Sequence, residues 1–289
     1  MTASVRGVNA SQRRRTPATF SRIVRVERTG STNADLAAAL REPGARIAWP
    51  HLSVLVTEHQ AAGRGRTGRD WHTPRGSSLT ASTVVRVDVP WQRWPWLALL
   101  GGLAVARAVG ERTGLATAVK WPNDVLILDA GGEAEPGWGT SRKVAGLLAE
   151  LVSVPDAPPV AVLGFGVNLN QGPSELPVPW ATSLAAAGAS VEAREPRALL
   201  DAVGGQLGAL LRRWEAAGGD AVASGLAAEV AGACATIGLD VVVSAPGSTE
   251  VAGLASAIDP HGALVVVPAA GPSVHVTAGD VRHVRALTR

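Results

Sequence analysis

From Ile23 onward the chain alternates short apolar runs, rich in Val and Leu, with clusters of Gly, Pro, Asp and Asn. Runs of that length bounded by turn residues predict strands. They fall at Ile23 to Val26, Leu52 to Thr57, Leu79 to Val87, Ala118 to Trp121, Val125 to Leu128, Val144 to Val152 and Val160 to Val167. Ser31, Thr32 and Asn33 open a helix that continues through Leu40 and is closed by Pro43 and Gly44. Thr32 with Asp35 has the form of a capping box, Asp standing where Glu or Gln is usual. Two longer helices are predicted, Trp96 to Arg112 and Pro196 to Ala217. Strands grouped together, with helices at intervals, predict an α+β fold: a mixed sheet covered by helices on one face rather than a strict βαβ repeat.

Beyond Gly218 the pattern changes. No Trp follows Trp214, and the runs become shorter: Val241 to Ser244, Val251 to Ile258, Leu264 to Pro268, Val274 to Thr277 and Val281 to Val284. Turns at Pro246-Gly247, Asp259 to Gly262 and Gly271-Pro272 separate them, which predicts a small five-stranded barrel. Residues 1–21 are polar, Arg-rich and without periodicity, and are expected to be a disordered tail. The expected organisation is therefore 1–21 tail, 22–228 larger domain and 229–289 small β domain, with the boundary near 225 to 232.

Composition narrows the class. Of 289 residues 46% are apolar, enough for a substantial core, and 33 Gly with 19 Pro stay below the roughly 25–30% typical of low-complexity chains. The apolar helix at Trp96 is broken by Arg107 and falls short of the roughly 18 uncharged residues of a membrane span. The lone Cys234 leaves no intrachain disulfide, and Arg13, Arg14 and Arg15 are not followed by a signal-peptide apolar stretch, so a cytoplasmic protein is expected. A formal charge of only +3 makes bulk electrostatics a weak case for nucleic acid. More telling, Lys120 and Lys143 are the only lysines among 27 basic residues. A surviving lysine either presents a compact ammonium to phosphate, which Arg cannot imitate, or survives by chance.

Four segments carry candidate chemistry. Gly63-Arg64-Gly65-Arg66-Thr67-Gly68-Arg69-Asp70-Trp71 lies between two predicted strands, with glycines that let backbone amides approach an anion and arginines that donate to phosphate oxygens. The alternatives are a solvated loop and an arginine-glycine RNA tract, although the latter normally occurs as repeats. Lys120-Trp121-Pro122-Asn123-Asp124 presents an amide and a carboxylate beside a rare lysine, and equally fits an ordinary turn. Lys143 precedes the strand Val144-Ala145-Gly146-Leu147-Leu148-Ala149-Glu150, in which Gly146 marks either close approach of a ligand or a bulge. In Gly164-Phe165-Gly166-Val167-Asn168-Leu169-Asn170 glycine alternates along a strand that ends in amides.

In this order, with Gly30-Ser31-Thr32-Asn33 and Thr57-Glu58-His59-Gln60, these segments resemble the biotin protein ligases, or biotin-[acetyl-CoA-carboxylase] ligases. The resemblance runs from about Val24 to the C-terminus, where Val251-Ala252-Gly253-Leu254-Ala255, Ile258-Asp259 and Gly262-Ala263-Leu264 look like the family's SH3-like domain. It implies a class II synthetase-like catalytic domain with a small SH3-like β-barrel. It also implies that ATP and biotin, with Mg²⁺, give biotinyl-5'-AMP, and that the biotinyl group passes to one lysine of the biotin carboxyl carrier domain of an acyl-CoA carboxylase. Carried over by motif, Lys143 bridges the biotin carboxylate and the α-phosphate, Arg66 shares the catalytic work, and Asp124 accepts the proton of the incoming amine. Biotin is expected on Ser31, Thr32, Asn33, Gln60, Gly63, Arg64, Gly65, Lys143 and Gly146. ATP is expected on Arg64, Arg66, Thr67, Gly68, Arg69, Trp71, Asn123, Lys143 and Asn168, with Trp71 stacking on adenine; no metal ligand is assigned. The match begins within about 24 residues of the start, which resembles the monofunctional class without a DNA-binding domain. A monomer or weak ligand-dependent dimer, with no DNA and no membrane partner, is expected. The stretch Ala130 to Ser141 is longer than the motif needs and is read as a mobile turn. The rival is a lipoate or octanoate ligase, which shares the catalytic fold.

Overall fold

The structure, a computed structural model, describes residues 20–284 apart from 73, 132, 156 and 245–248. The tail expected at 1–21 thus lies outside the described residues except for Phe20, which is buried against Gly204, and Ser21, whose N–H donates to the Leu52 carbonyl. The turn at Pro246-Gly247 is outside them too.

The larger sheet contains β1 (Arg22–Thr29), β2 (Ser53–Gln60), β3 (Ser78–Val85), β4 (Thr117–Lys120), β5 (Asp124–Ile127), β6 (Arg142–Val154) and β7 (Ala157–Asn168). Their order is β1-β2-β3-β7-β6-β5-β4, and the β1–β2 pair is parallel while the others are antiparallel, so the sheet is mixed. Among the described residues five α-helices accompany them: α1 (Thr32–Ala39), α2 (Ala45–Ala48), α3 (Trp96–Thr113), α4 (Pro196–Ala216) and α5 (Leu226–Ala233). A second, antiparallel sheet holds β8 (Asp240–Ser244), β9 (Val251–Ile258), β10 (Leu264–Val267), β11 (Val274–Val276) and β12 (Asp280–His283), in the order β11-β10-β9-β8-β12, consistent with an SH3-like unit. Every strand expected from the sequence is present.

Alternation along the strands sorts side chains between two cores. Val54, Val56, Leu147, Leu163 and Phe165 join Leu100 and Leu103 of α3 with Leu207, Leu211 and Trp214 of α4 in the main core. Leu55, Val84, Val160 and Val162 point to the opposite face, where Leu36 of α1 and its C-cap Leu40 cover them. Helices therefore lie on both faces, not one, because the i, i+4 leucines of α1 find their apolar partners on the side away from α3. Being short, α1 covers only one end of that face and leaves the middle of the sheet open.

The cap of α1 also differs from expectation. Ser31, not Thr32, is the N-cap, its hydroxyl accepting from the Ala34 N–H, while Asp35 takes the Thr29 hydroxyl instead of closing a capping box. This leaves the Thr32 side chain for the site. The small sheet is tied to the large one by Trp96 and Trp121, whose indole N–H groups donate to Pro260 and Gly262 carbonyls at 2.9 and 3.1 Å. Within Ala130 to Ser141, read as a mobile turn, Glu135 is bridged to Gly139 and the Ala130 N–H donates to the Thr140 carbonyl, while residue 132 lies outside the described residues. Arg142, buried beneath this stretch, donates to the carbonyls of Glu133, Gly139 and Ser141, which ties the turn to the start of β6.

Candidate active site

The floor of the site is the open middle of the sheet, where β3, β7 and β6 lie side by side. Cross-strand register aligns Ser82, Gly164 and Leu148 in one row, Thr80, Gly166 and Gly146 in the next, and Ser78 with Asn168 in the third. Small residues in the central rows make a depression, and two of the glycines have no room for anything larger. A Cβ at Gly164 would lie 2.2 Å from Asn33 Oδ1, and one at Gly166 would lie 2.4 Å from the Trp71 ring.

A bulge brings the key lysine to this face. Val125 pairs with Ala145 but Leu126 pairs with Lys143, so Val144 is the extra residue in β6. Strict alternation would send Lys143 and Gly146 to opposite faces, and the bulge puts both toward the cavity. Lys143 Nζ sits 2.6 Å from Asp124 Oδ1 and 5.7 Å from the Trp71 ring centroid.

The Gly-rich segment is itself a small hairpin. Arg64 bridges to Asp70, the Gly65 N–H donates to the Arg69 carbonyl, and the Trp71 N–H donates to the Gly63 carbonyl. Thr67 at φ 53° and Gly68 at φ 77° make its tip in the left-handed region that Gly68 adopts without cost. Arg64, Gly65, Arg66, Arg69 and Trp71 line the cavity, whereas Thr67 and Gly68 line a neighbouring cleft. Gly63 packs beneath Gln60 and the Trp71 carbonyl. Arg66 donates to Asn123 Oδ1 at 3.2 Å, and burial lowers its pKa below the usual arginine value. Arg69 pairs with Asp280 of β12. Trp71, expected as an adenine platform, rests on the glycine floor beside Lys143.

At one end of the floor, Ser31, Thr32, Asn33 and Gln60 are all buried. The Thr32 N–H and hydroxyl both donate to Gln60 Oε1, at 2.8 and 3.0 Å, which leaves the amide nitrogen as that side chain's donor. At the other end Asn168 donates to the Thr182 carbonyl at 2.9 Å, and Gln171 donates to Ser78 at 2.8 Å. Lys120 lies here as well, donating to the Val281 carbonyl at 2.7 Å with Nζ 3.7 Å above the Trp138 ring. Trp138, in the inserted stretch, stacks on Trp180 with centroids 6.0 Å apart. Burial pushes the Lys120 pKa down to about 8 against the pull of Asp124 and Asp280. The Trp138 face opposes that shift, since it favours the ammonium.

The cavity between these ends has a volume of about 630 Å³, within the range of small-molecule sites. Six cations line it against four carboxylates, and the pairs Lys143–Asp124 and Arg69–Asp280 leave four cations against two carboxylates, so it suits an anion. Thr80 Oγ1, Gln171 Oε1 and Trp71 Nε1 are buried in its walls with no hydrogen-bond partner, as expected where a polar ligand completes the set. Among the described residues no three His, Cys, Asp or Glu stand together as a metal cage.

Sequence reasoning missed Ser82, Thr80, Glu150, Trp138, Trp180 and the contribution of β12, and left Lys120 without a role. Alternating Ser78, Thr80 and Ser82 along an otherwise apolar strand was the available signal for the first two.

Comparison with known proteins bears on the same residues. The family model described as Biotin/lipoate A/B protein ligase family matches residues 26–168, which hold the whole glycine floor. The biotin--[acetyl-CoA-carboxylase] ligase of Mycobacterium tuberculosis is 40% identical over 264 residues, covering 90% of this chain and 88% of that one. This chain belongs to the biotin/lipoate A/B protein ligase family. The biotin--[acetyl-CoA-carboxylase] ligase of Paracoccus denitrificans is 34% identical over 88% of this chain and 97% of its own. In fold, this family member is similar to the Aquifex aeolicus biotin protein ligase solved with biotin and ATP, with a TM-score of 0.68, 22% identity, and coverage of 92% of this chain and 100% of that chain. The matches to both relatives and to this solved structure are longer than the part that the biotin/lipoate A/B protein ligase family model matches.

Proposed function

We propose that the chain is an ATP-dependent biotin ligase that makes biotinyl-5'-AMP and transfers the biotinyl group to one lysine of a biotin carboxyl carrier domain of an acyl-CoA carboxylase. The observation that carries this reading is the division of one cavity into a buried polar end and a cationic end, joined by a glycine floor with Lys143 between them. Biotin's ureido ring, with two N–H donors and one carbonyl, suits the Ser31, Thr32 and Gln60 end, and its valeryl tail suits bare glycine.

Two anions must meet for the first step, the biotin carboxylate and the α-phosphate. Lys143 supplies fixed positive charge between them, and Arg64, Arg66 and Arg69 take phosphate oxygens. Arg69 exchanges its Asp280 partner for phosphate when nucleotide enters. Mg²⁺ bound to the triphosphate would neutralise phosphate charge, and among the described residues no carboxylate cluster stands ready to hold it in advance. The mixed anhydride hydrolyses in water, and the Gly63–Trp71 hairpin covers it. In the second step the acceptor amine attacks the acyl carbon, AMP leaves, and Asp124 accepts the amine proton. Residues 229–289 complete the cationic end through Asp280 and the Val281 carbonyl.

We place this activity in the cytoplasm, with a carrier protein rather than nucleic acid as partner and a monomer or weak ligand-dependent dimer as the working form. Among the described residues no helix is long and apolar enough to cross a membrane, and Cys234 is buried and free.

Biotin-dependent exchange of labelled pyrophosphate into ATP tests the reading, with lipoate and octanoate in parallel. Exchange with biotin alone is expected, and exchange only with lipoate or octanoate would move the chain to the rival substrate. Lys120 adds a pH test. With its pKa near 8, kcat/KM for ATP should hold below that pH and fall above it as the ammonium deprotonates. Lys120→Arg, charged throughout, should flatten the alkaline limb, and an unchanged limb would remove Lys120 from nucleotide binding.

A further inference from the structure

We propose that Glu150 and Ser82 are positioning residues for the ring-recognition end of the site, acting through Asn33, whose amide they hold in place. The inference rests on the biotin reading above and deepens it.

Asn33 spends both amide hydrogens and one acceptor site of its carbonyl oxygen on the protein. Its Nδ2 donates to Glu150 Oε2 at 2.6 Å and to the Leu148 carbonyl at 3.2 Å, and its Oδ1 accepts from the Ser82 hydroxyl at 2.5 Å. The partners fix which end of the amide is which, because reversing it would set the carbonyl oxygen against two acceptors. Gly164 beneath it is bare for the same reason, since a Cβ there would strike Oδ1 at 2.2 Å. Four points on β3, β7 and β6 therefore locate one side chain at the start of α1. The Ser82 hydroxyl also lies 2.7 Å from Thr32 Oγ1, and Thr32 in turn holds Gln60. The same network thus reaches the groups that meet the ureido ring, and Glu150 is its outermost anchor. Burying this many polar groups is worthwhile only when all are satisfied, so losing one anchor releases the others.

The test compares Glu150→Ala, Glu150→Gln and Ser82→Ala as full-length proteins. Biotin affinity is read by calorimetry, KM for biotin and ATP by pyrophosphate exchange, and melting temperature in parallel. Glu150→Ala and Ser82→Ala should weaken biotin by about tenfold or more, a loss in the range that misplacement of about 1 Å produces, with KM for ATP within about twofold. Glu150→Gln keeps an acceptor oxygen for Asn33 and should lie within about threefold of the parent. Three results would overturn the proposal: Glu150→Ala binding biotin like the parent, Glu150→Gln failing as badly as Glu150→Ala, or biotin and ATP affinities falling together with the melting temperature. A parent protein that binds lipoate and not biotin would instead overturn the substrate reading, and that arm is run first.

Discussion

Replacing Lys143 with alanine is expected to slow biotin-dependent pyrophosphate exchange by about 10²–10³-fold, the scale of losing one preorganised charge at a reacting centre. That corresponds to about 3–4 kcal/mol of transition-state stabilisation. The ammonium is held 2.6 Å from Asp124 in a partly shielded position, so it needs little reorganisation when carboxylate and phosphate arrive. Its removal does more than delete a contact, because Asp124 then remains as a third anion where two already repel. Lys143→Arg should recover only part of the rate, since a planar fork cannot stand where a compact ammonium packs against Gly146. Exchange kinetics with a parallel melting curve check this. Near-parental exchange in Lys143→Ala would take the residue out of the mechanism.

Adding one methyl at Gly164 is expected to be nearly as damaging to biotin binding. The new carbon would lie 2.2 Å from Asn33 Oδ1, far inside contact distance, so either Asn33 or the strand must move. Overpacking of this kind costs about 1–3 kcal/mol in stability. The larger effect should fall on recognition: a shift of about 1 Å at the ring end predicts a biotin KM raised about a hundredfold. KM for ATP should change far less, because the cationic end lies across the floor from the substitution. Equal losses for both substrates in Gly164→Ala would show that the floor is only scaffolding.

How far the chain's own pattern reveals this site depends on how local each feature is. Every strand was legible because β-branched and leucine-rich runs stand between Gly, Pro, Asn and Asp, and that information lies within ten residues. Helix α5, Leu226–Ala233, was not, since its alanines and its closing Gly232 carry little periodic contrast. The Gly-rich hairpin, Lys143 and the alternating Gly164 and Gly166 were visible as motifs, whose residues bring chemistry with them. What stayed hidden was geometry made between strands. Gly146 offered a bulge as one of two readings, but that Val144 is the extra residue arises from pairing with β5. Glu150 was only the last residue of the run from Val144, and its bond to Asn33 spans 117 residues. Trp138 was lost inside a Gly-rich insertion whose order comes from Arg142 and the Trp180 stack.

One further consequence concerns how the protein is handled. Its two ε-amines, Lys120 and Lys143, both stand in the active cavity, each already engaged, and every other basic side chain apart from histidine is a guanidinium. An acyl-adenylate that diffuses away therefore meets no lysine on the outer surface of its own maker, so any self-labelled band in streptavidin blots should come from the α-amine and stay faint beside that of an acceptor. The same distribution makes amine-directed coupling to beads or dyes a poor choice, because the reagent's lysine targets are the ones the chemistry needs; attachment belongs at an added tag.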